Sequence, residues 1–102
     1  MTPDDVRTLA LSLEATYESQ HMGHPDFRVG KKGIFATLRP DEQTSVLRLP
    51  LEMAETLAGE DQGRKIVSRY AGMGWLSIDL NQADREEFES LLELAWELRK
   101  SR

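Results

Sequence analysis

The chain has 102 residues, 39% of them apolar, enough for one compact domain with a single modest core. It contains no cysteine, which excludes disulfides, thiolate metal sites and cysteine nucleophiles. Thirteen Lys and Arg against eighteen Asp and Glu leave a net charge of −5, the opposite of the basic balance usual in proteins that grip nucleic acid through phosphates.

The first element is a helix from about Pro3 to Leu13. Thr2 is placed to cap it, Pro3 fits the first helical position, Asp4 and Asp5 suit the positive end of the helix dipole, and Val6, Leu9, Ala10 and Leu13 form its apolar stripe. Two acidic residues before the first stripe are the reverse of a basic, then apolar, secretion signal. The longest apolar runs are three residues, such as Ile34 to Ala36, whereas a membrane-spanning helix needs roughly 20. The expectation is one cytoplasmic domain over 1–102 with no membrane segment.

The period then shifts from helical to alternating. Phe27 to Val29 and Ile34 to Leu38 read as a hairpin about Gly30, Lys31, Lys32 and Gly33, with glycine supplying positive φ. Glu18 to Met22 is a short polar candidate for a further edge strand. Arg39, Pro40 and Asp41 break the second run, and Ser45 to Leu49 forms the next strand.

Leu51 to Ala58 reads as a short helix between Pro50 and Gly59, followed by a polar turn over Glu60 to Arg64. Trp75 to Leu80 is the cleanest strand. Asn81 is expected to cap a last helix whose apolar face is Phe88, Leu91, Leu92, Ala95 and Trp96. The fold class is therefore α+β, a two-layer sandwich with the N- and C-terminal helices on one face of an antiparallel sheet.

The run His24, Pro25, Asp26, Phe27, Arg28, Val29, Gly30, Lys31, Lys32, Gly33, Ile34, Phe35, Ala36, Thr37, Leu38 resembles the most characteristic stretch of the MmcQ/YjbR family, small bacterial proteins commonly described as DNA-binding. The opening helix with Leu11 and Leu13, the strand Gly74 to Ile78 and the acidic last helix with Leu91, Leu92 and Trp96 follow the family's order. The resemblance implies a YjbR-like fold, similar in outline to frataxin, and DNA binding, with no catalytic residues to carry over. Glu60 to Met73 is less typical of the family and is not expected to touch a partner.

Strand alternation divides the sheet residues. Ile34, Ala36, Leu38, Leu47, Leu49, Leu76, Ile78 and Leu80 are expected to meet the helices, and Phe35, Thr37, Arg39, Val46, Arg48, Trp75, Ser77 and Asp79 to face away. The expected nucleic-acid contacts are Arg28, Lys31, Lys32, Arg39 and Arg48 on phosphates, with Phe35 and Trp75 stacking on bases. Solvated turn lysines, and a satellite packing of Phe35 on Trp75, are the structural alternatives. The turn matches neither the helix-joining loop of a KH domain nor a phosphate-binding P-loop.

His21 and His24 have helical spacing but flank Gly23 and precede Pro25, and no third ligand stands beside them, so no metal or cofactor is expected. Glu86, Glu87, Glu89, Glu93 and Glu97 read as a solvated helix face rather than as catalytic carboxylates. No Ser, His, Asp order marks a hydrolase. The function expected is non-enzymatic DNA binding; the alternative is a protein or peptide interaction module, or a homodimer, using the same open sheet face. Charge is uneven along the chain: −4 over residues 1–26, +1 over 27–80 and −2 over 81–102. The acidic excess thus belongs to the helical ends, and the sheet is slightly basic.

Overall fold

A computed structural model describes residues 1–31, 33–70 and 72–101. Helix α1 (Pro3–Leu11) opens on a capping box: the Thr2 hydroxyl accepts from the Asp5 N–H at 3.1 Å, and the Asp5 carboxylate accepts from the Thr2 N–H at 2.8 Å. That backbone bond from Thr2, with its hydroxyl, holds the Asp5 carboxyl below the ordinary value. The helix stops two residues short of Leu13, and Leu13 still packs against the core.

Six strands follow in one antiparallel sheet: β1 (Thr16–His21), β2 (His24–Val29), β3 (Gly33–Arg39), β4 (Thr44–Arg48), β5 (Arg64–Ile66) and β6 (Trp75–Asp79). Their spatial order is β1-β2-β3-β4-β6-β5. The edge strand expected over Glu18 to Met22 is present as β1. It joins β2 through Met22 and Gly23, both at positive φ, which is the two-residue turn that matches strand twist.

Helix α2 (Leu51–Glu60) carries the chain from β4 to β5 and packs on β5 and β6. It runs one residue beyond Gly59, and Asp61 at φ +63° takes the cap position. The chain then forms β5, where a polar turn was expected to end at Arg64. Three residues carry no readable period, and β5 exists because β6 offers it a partner edge and α2 covers it.

Helix α3 (Arg85–Lys100) starts three residues later than an Asn81 cap implies. Asp84 is the cap, its carboxylate accepting from the Glu87 N–H at 2.9 Å, while the Asn81 N–H is bound to Asp79. Phe88, Leu91, Leu92, Ala95 and Trp96 bury against the sheet as its period requires, and α1 and α3 share one sheet face. The Trp96 indole N–H donates to the Glu14 carbonyl at 2.9 Å, tying α3 to the segment before β1. Among the described residues no helix is long and apolar enough to cross a membrane.

One irregularity reverses part of the expected face pattern. Between β2 and β3, Phe27 pairs with Ala36 but Arg28 pairs with Ile34, which leaves Phe35 without a partner as the extra residue of a β-bulge. Strict alternation therefore fails at this point. Phe35 and Ala36 both turn to the helices and are fully buried in the core, and Ile34 takes the outward position expected of Phe35. Beyond the bulge the expected faces hold, with Thr37 and Arg39 outward and Leu38 inward.

Candidate nucleic-acid interface

The face opposite the helices is concave. A groove of about 500 Å³ crosses it, floored by Ile34, Thr37, Val46 and Trp75. The β1–β2 turn supplies one wall through His21, Met22 and His24; Val67, Ser68 and Arg69, just after β5, supply the other. Arg39 also lines it. The walls come from segments at opposite edges of the sheet, and the coiling of a twisted antiparallel sheet brings such edges forward of its centre.

The cation set is only partly available. Arg28 lies on this face but clasps Asp26, its Nε 2.9 Å and its terminal nitrogen 3.2 Å from the two carboxylate oxygens. Asp26 is fully buried, and its hydrogen bond keeps the Arg28 guanidinium above its ordinary pKa. A carboxylate so placed requires its own cation, so Arg28 is committed to the fold before any partner arrives.

Arg39 approaches Glu42 loosely, at 4.0 Å, and both are open to water. The Arg48 guanidinium sits 5.9 Å from the centre of the Trp75 ring, a cation–π arrangement that positions both. Lys31 is exposed in the β2–β3 turn, and Lys32 lies outside the described residues. Phe35 has no part in this surface, which leaves Trp75 as the aromatic ring that lines the groove.

Two residues that the linear pattern left out are here as well. Lys65 pairs across from Ser77 and points outward, and Arg69 forms part of the wall, although their segment was expected to make no contact. Among the described residues, Arg28, Arg39, Arg48, Lys65 and Arg69 stand on this side with Asp26, Asp79 and the Glu42 that approaches Arg39. Asp79 is held ionised by hydrogen bonds from the Gln82 amide and the Asn81 N–H, each 2.9 Å, with Lys65 adding attraction, and its pKa is lowered accordingly.

By contrast Arg64, in the same basic segment, is directed into the protein. It is 5% exposed, donates to the Asp61 carbonyl at 3.0 Å and to Glu60 at 3.1 Å, and bridges to Glu87 of α3. It joins α2 to α3 and is unavailable to a ligand.

His21 and His24 are register partners across the β1–β2 turn, and among the described residues no His, Cys, Asp or Glu completes a three-ligand group with them. Glu86, Glu87, Glu89, Glu93 and Glu97 are exposed on α3. Among the described residues these glutamates lie on the helical layer, while Arg39 and Arg69 line the groove on the opposite face.

These features define a class of protein: a two-layer α+β sandwich with helices on one sheet face and a concave, cation-bordered groove on the other. The sequence model of the YjbR family matches residues 11–98, and the chain belongs to that family. Its fold is similar to the crystal structure of a Deinococcus radiodurans protein described by the domain name DUF419, with a TM-score of 0.83 at 20% identity, covering 95% of this chain and 77% of that one. No curated protein matches the sequence.

Proposed function

We propose that this protein binds DNA weakly and in one orientation through its open sheet face, as a binding protein and not a catalyst. The observation that carries this reading is the groove itself: an apolar floor with an indole ring, bordered by arginines, on a chain that is otherwise acidic. Arg39, Arg48 and Arg69 meet phosphates while Trp75 offers a ring face to a base, the combination used by surfaces that bind single strands without sequence preference. Among the described residues no α-helix projects from this face to enter a major groove, so the reading assigns no part to base-edge readout.

Fluorescence anisotropy of labelled single-stranded and duplex DNA at two salt concentrations tests the reading. Two to three phosphate contacts predict an affinity loss of about tenfold between 50 and 200 mM salt, from a slope near −0.7 per contact. Arg39→Glu with Arg48→Glu abolishes binding if the face is correctly assigned. Failure to bind at low salt, or binding indifferent to that double substitution, refutes it. An acidic peptide is the alternative occupant, because β1 leaves its outer edge unpaired beside the same face. A peptide that binds where DNA does not would favour that alternative.

A further inference from the structure

Resting on the nucleic-acid reading, we propose that the groove holds one unpaired nucleotide of a strand, its base on Trp75 and its two flanking phosphates at opposite cationic ends. The first ground is the order of chemistry along the groove. Arg69 lies just past the Trp75 end, because Val67 N–H bonds the Trp75 carbonyl and Arg69 follows two residues later. Arg39 lies at the other end, on the row of Thr44 and Asp79. Val46, on the Thr37–Ser77 row, falls between them, and Ile34 adds apolar surface at the Trp75 end. A nucleotide within a strand has that same order of phosphate, flat ring and phosphate.

The second ground is size. Arg39, Trp75 and Arg69 all line one groove of about 500 Å³, the volume of a small-ligand site and not of a surface that lies along a duplex.

The third ground is desolvation. In a paired duplex the base faces are stacked on one another, so an apolar floor would meet sugar and phosphate and lose its water without compensation. An unpaired base supplies the apolar face that Trp75 and Val46 lack. Asp79 shares the Arg39 row but stands two strands away on β6, so its carboxylate disfavours phosphate there and leaves the β3 side of the row, where Arg39 and His24 line the groove.

The test uses a duplex carrying one unpaired thymine, the same duplex fully paired, and the bulged duplex with an abasic site, together with thymidine 5′-monophosphate and thymidine 3′,5′-bisphosphate. Binding is read by anisotropy and by tryptophan quenching. The bulged duplex should bind about tenfold tighter than either control, within the range of stacking on one ring, and Trp75→Ala should bring all three duplexes to the same affinity. Arg69→Ala and Arg39→Ala should each weaken the bisphosphate more than the monophosphate, a second readout independent of the tryptophan.

Equal, salt-sensitive binding of all three duplexes would overturn the one-nucleotide site and leave the general DNA reading intact. Quenching by the monophosphate with no binding to any DNA would overturn both, assigning the groove to a free nucleotide.

Discussion

Phe35→Ala separates the bulged register from strict strand alternation. If Phe35 stood on the open face, removing its ring would cost well under 1 kcal/mol, as surface substitutions do. In the bulge the side chain is 0% exposed and packs within the core of α1, α3 and the sheet, where Phe→Ala substitutions cost about 3 to 5 kcal/mol through lost transfer energy and the cavity left behind. Against a total stability of about 5 to 15 kcal/mol, that is a large share. An unfolding entropy near 2.1 cal/mol/K per residue over 102 residues converts it to a fall in Tm of roughly 15 to 25 °C. Urea unfolding followed by circular dichroism gives the free energy directly. Phe35→Leu should keep the fold at a cost of about 1 to 1.5 kcal/mol, and should leave DNA affinity unchanged, because the ring does not reach the groove. A loss below 1 kcal/mol for the alanine variant would refute the inward placement.

Other substitutions probe the features around the site. Gly74 sits at φ +83° and an added Cβ would stand 1.9 Å from the Leu49 carbonyl oxygen, so Gly74→Ala should cost about 3 kcal/mol or more in urea unfolding; Gly72→Ala, at φ +89° with open space around it, should cost only about 1 kcal/mol, and equal losses would discount the clash. Removing both carboxylates that hold Arg64, by Glu60→Ala with Glu87→Ala, leaves a buried cation and should cost about 2 kcal/mol, discounted from the fully buried case because both acids reach water. Arg64→Met should cost less, and the reverse order would count against a charge-driven bridge. Asp79 has a folded pKa below its unfolded value near 3.9, so folding favours its ionised form; its contribution is present above that pH and fades as pH falls through the folded value. Melting curves should then show wild type losing more stability than Asp79→Asn on acidification below about pH 4, and parallel curves would remove the effect.

Much of the architecture was legible because its signals are local. The Thr2 cap, the helical stripe of α3 and the alternation of Trp75 to Asp79 each concern residues a few positions apart, and each stands in the fold. Where signals lengthen or weaken, legibility stops. Strand β5 is three residues long, shorter than any readable period, and Met22 with Gly23 is not a typical pair for the turn it forms. Asp84 rather than Asn81 caps α3 because the side chain of Asp79 engages the intervening Asn81 and Gln82.

The candidate site was legible in part, by residue type more than by placement. Arg39, Arg48 and Trp75 fall on the open face where alternation puts them, since nothing interrupts the register from Thr37 onward. Phe35 does not, because one extra residue in a ladder inverts every side chain on its near side while leaving the composition unchanged. Arg28 keeps its face but is bound to Asp26, two positions before it, where a strand returns side chains to the same side.

Length, composition and periodicity by themselves determined a single α+β layer pair and the separation of acidic helices from a slightly basic sheet, because the burial of an apolar stripe is settled within each element. Only the tertiary structure decided which cations border a groove. Arg64 and Arg69 are five residues apart in one basic segment, yet one is buried between α2 and α3 and the other lines the open face. That difference comes from pairing β5 against β6 and from covering it with α2, contacts between distant parts of the chain to which no local pattern is sensitive. The net charge of −5 describes the whole chain, and a partner meets one face of it.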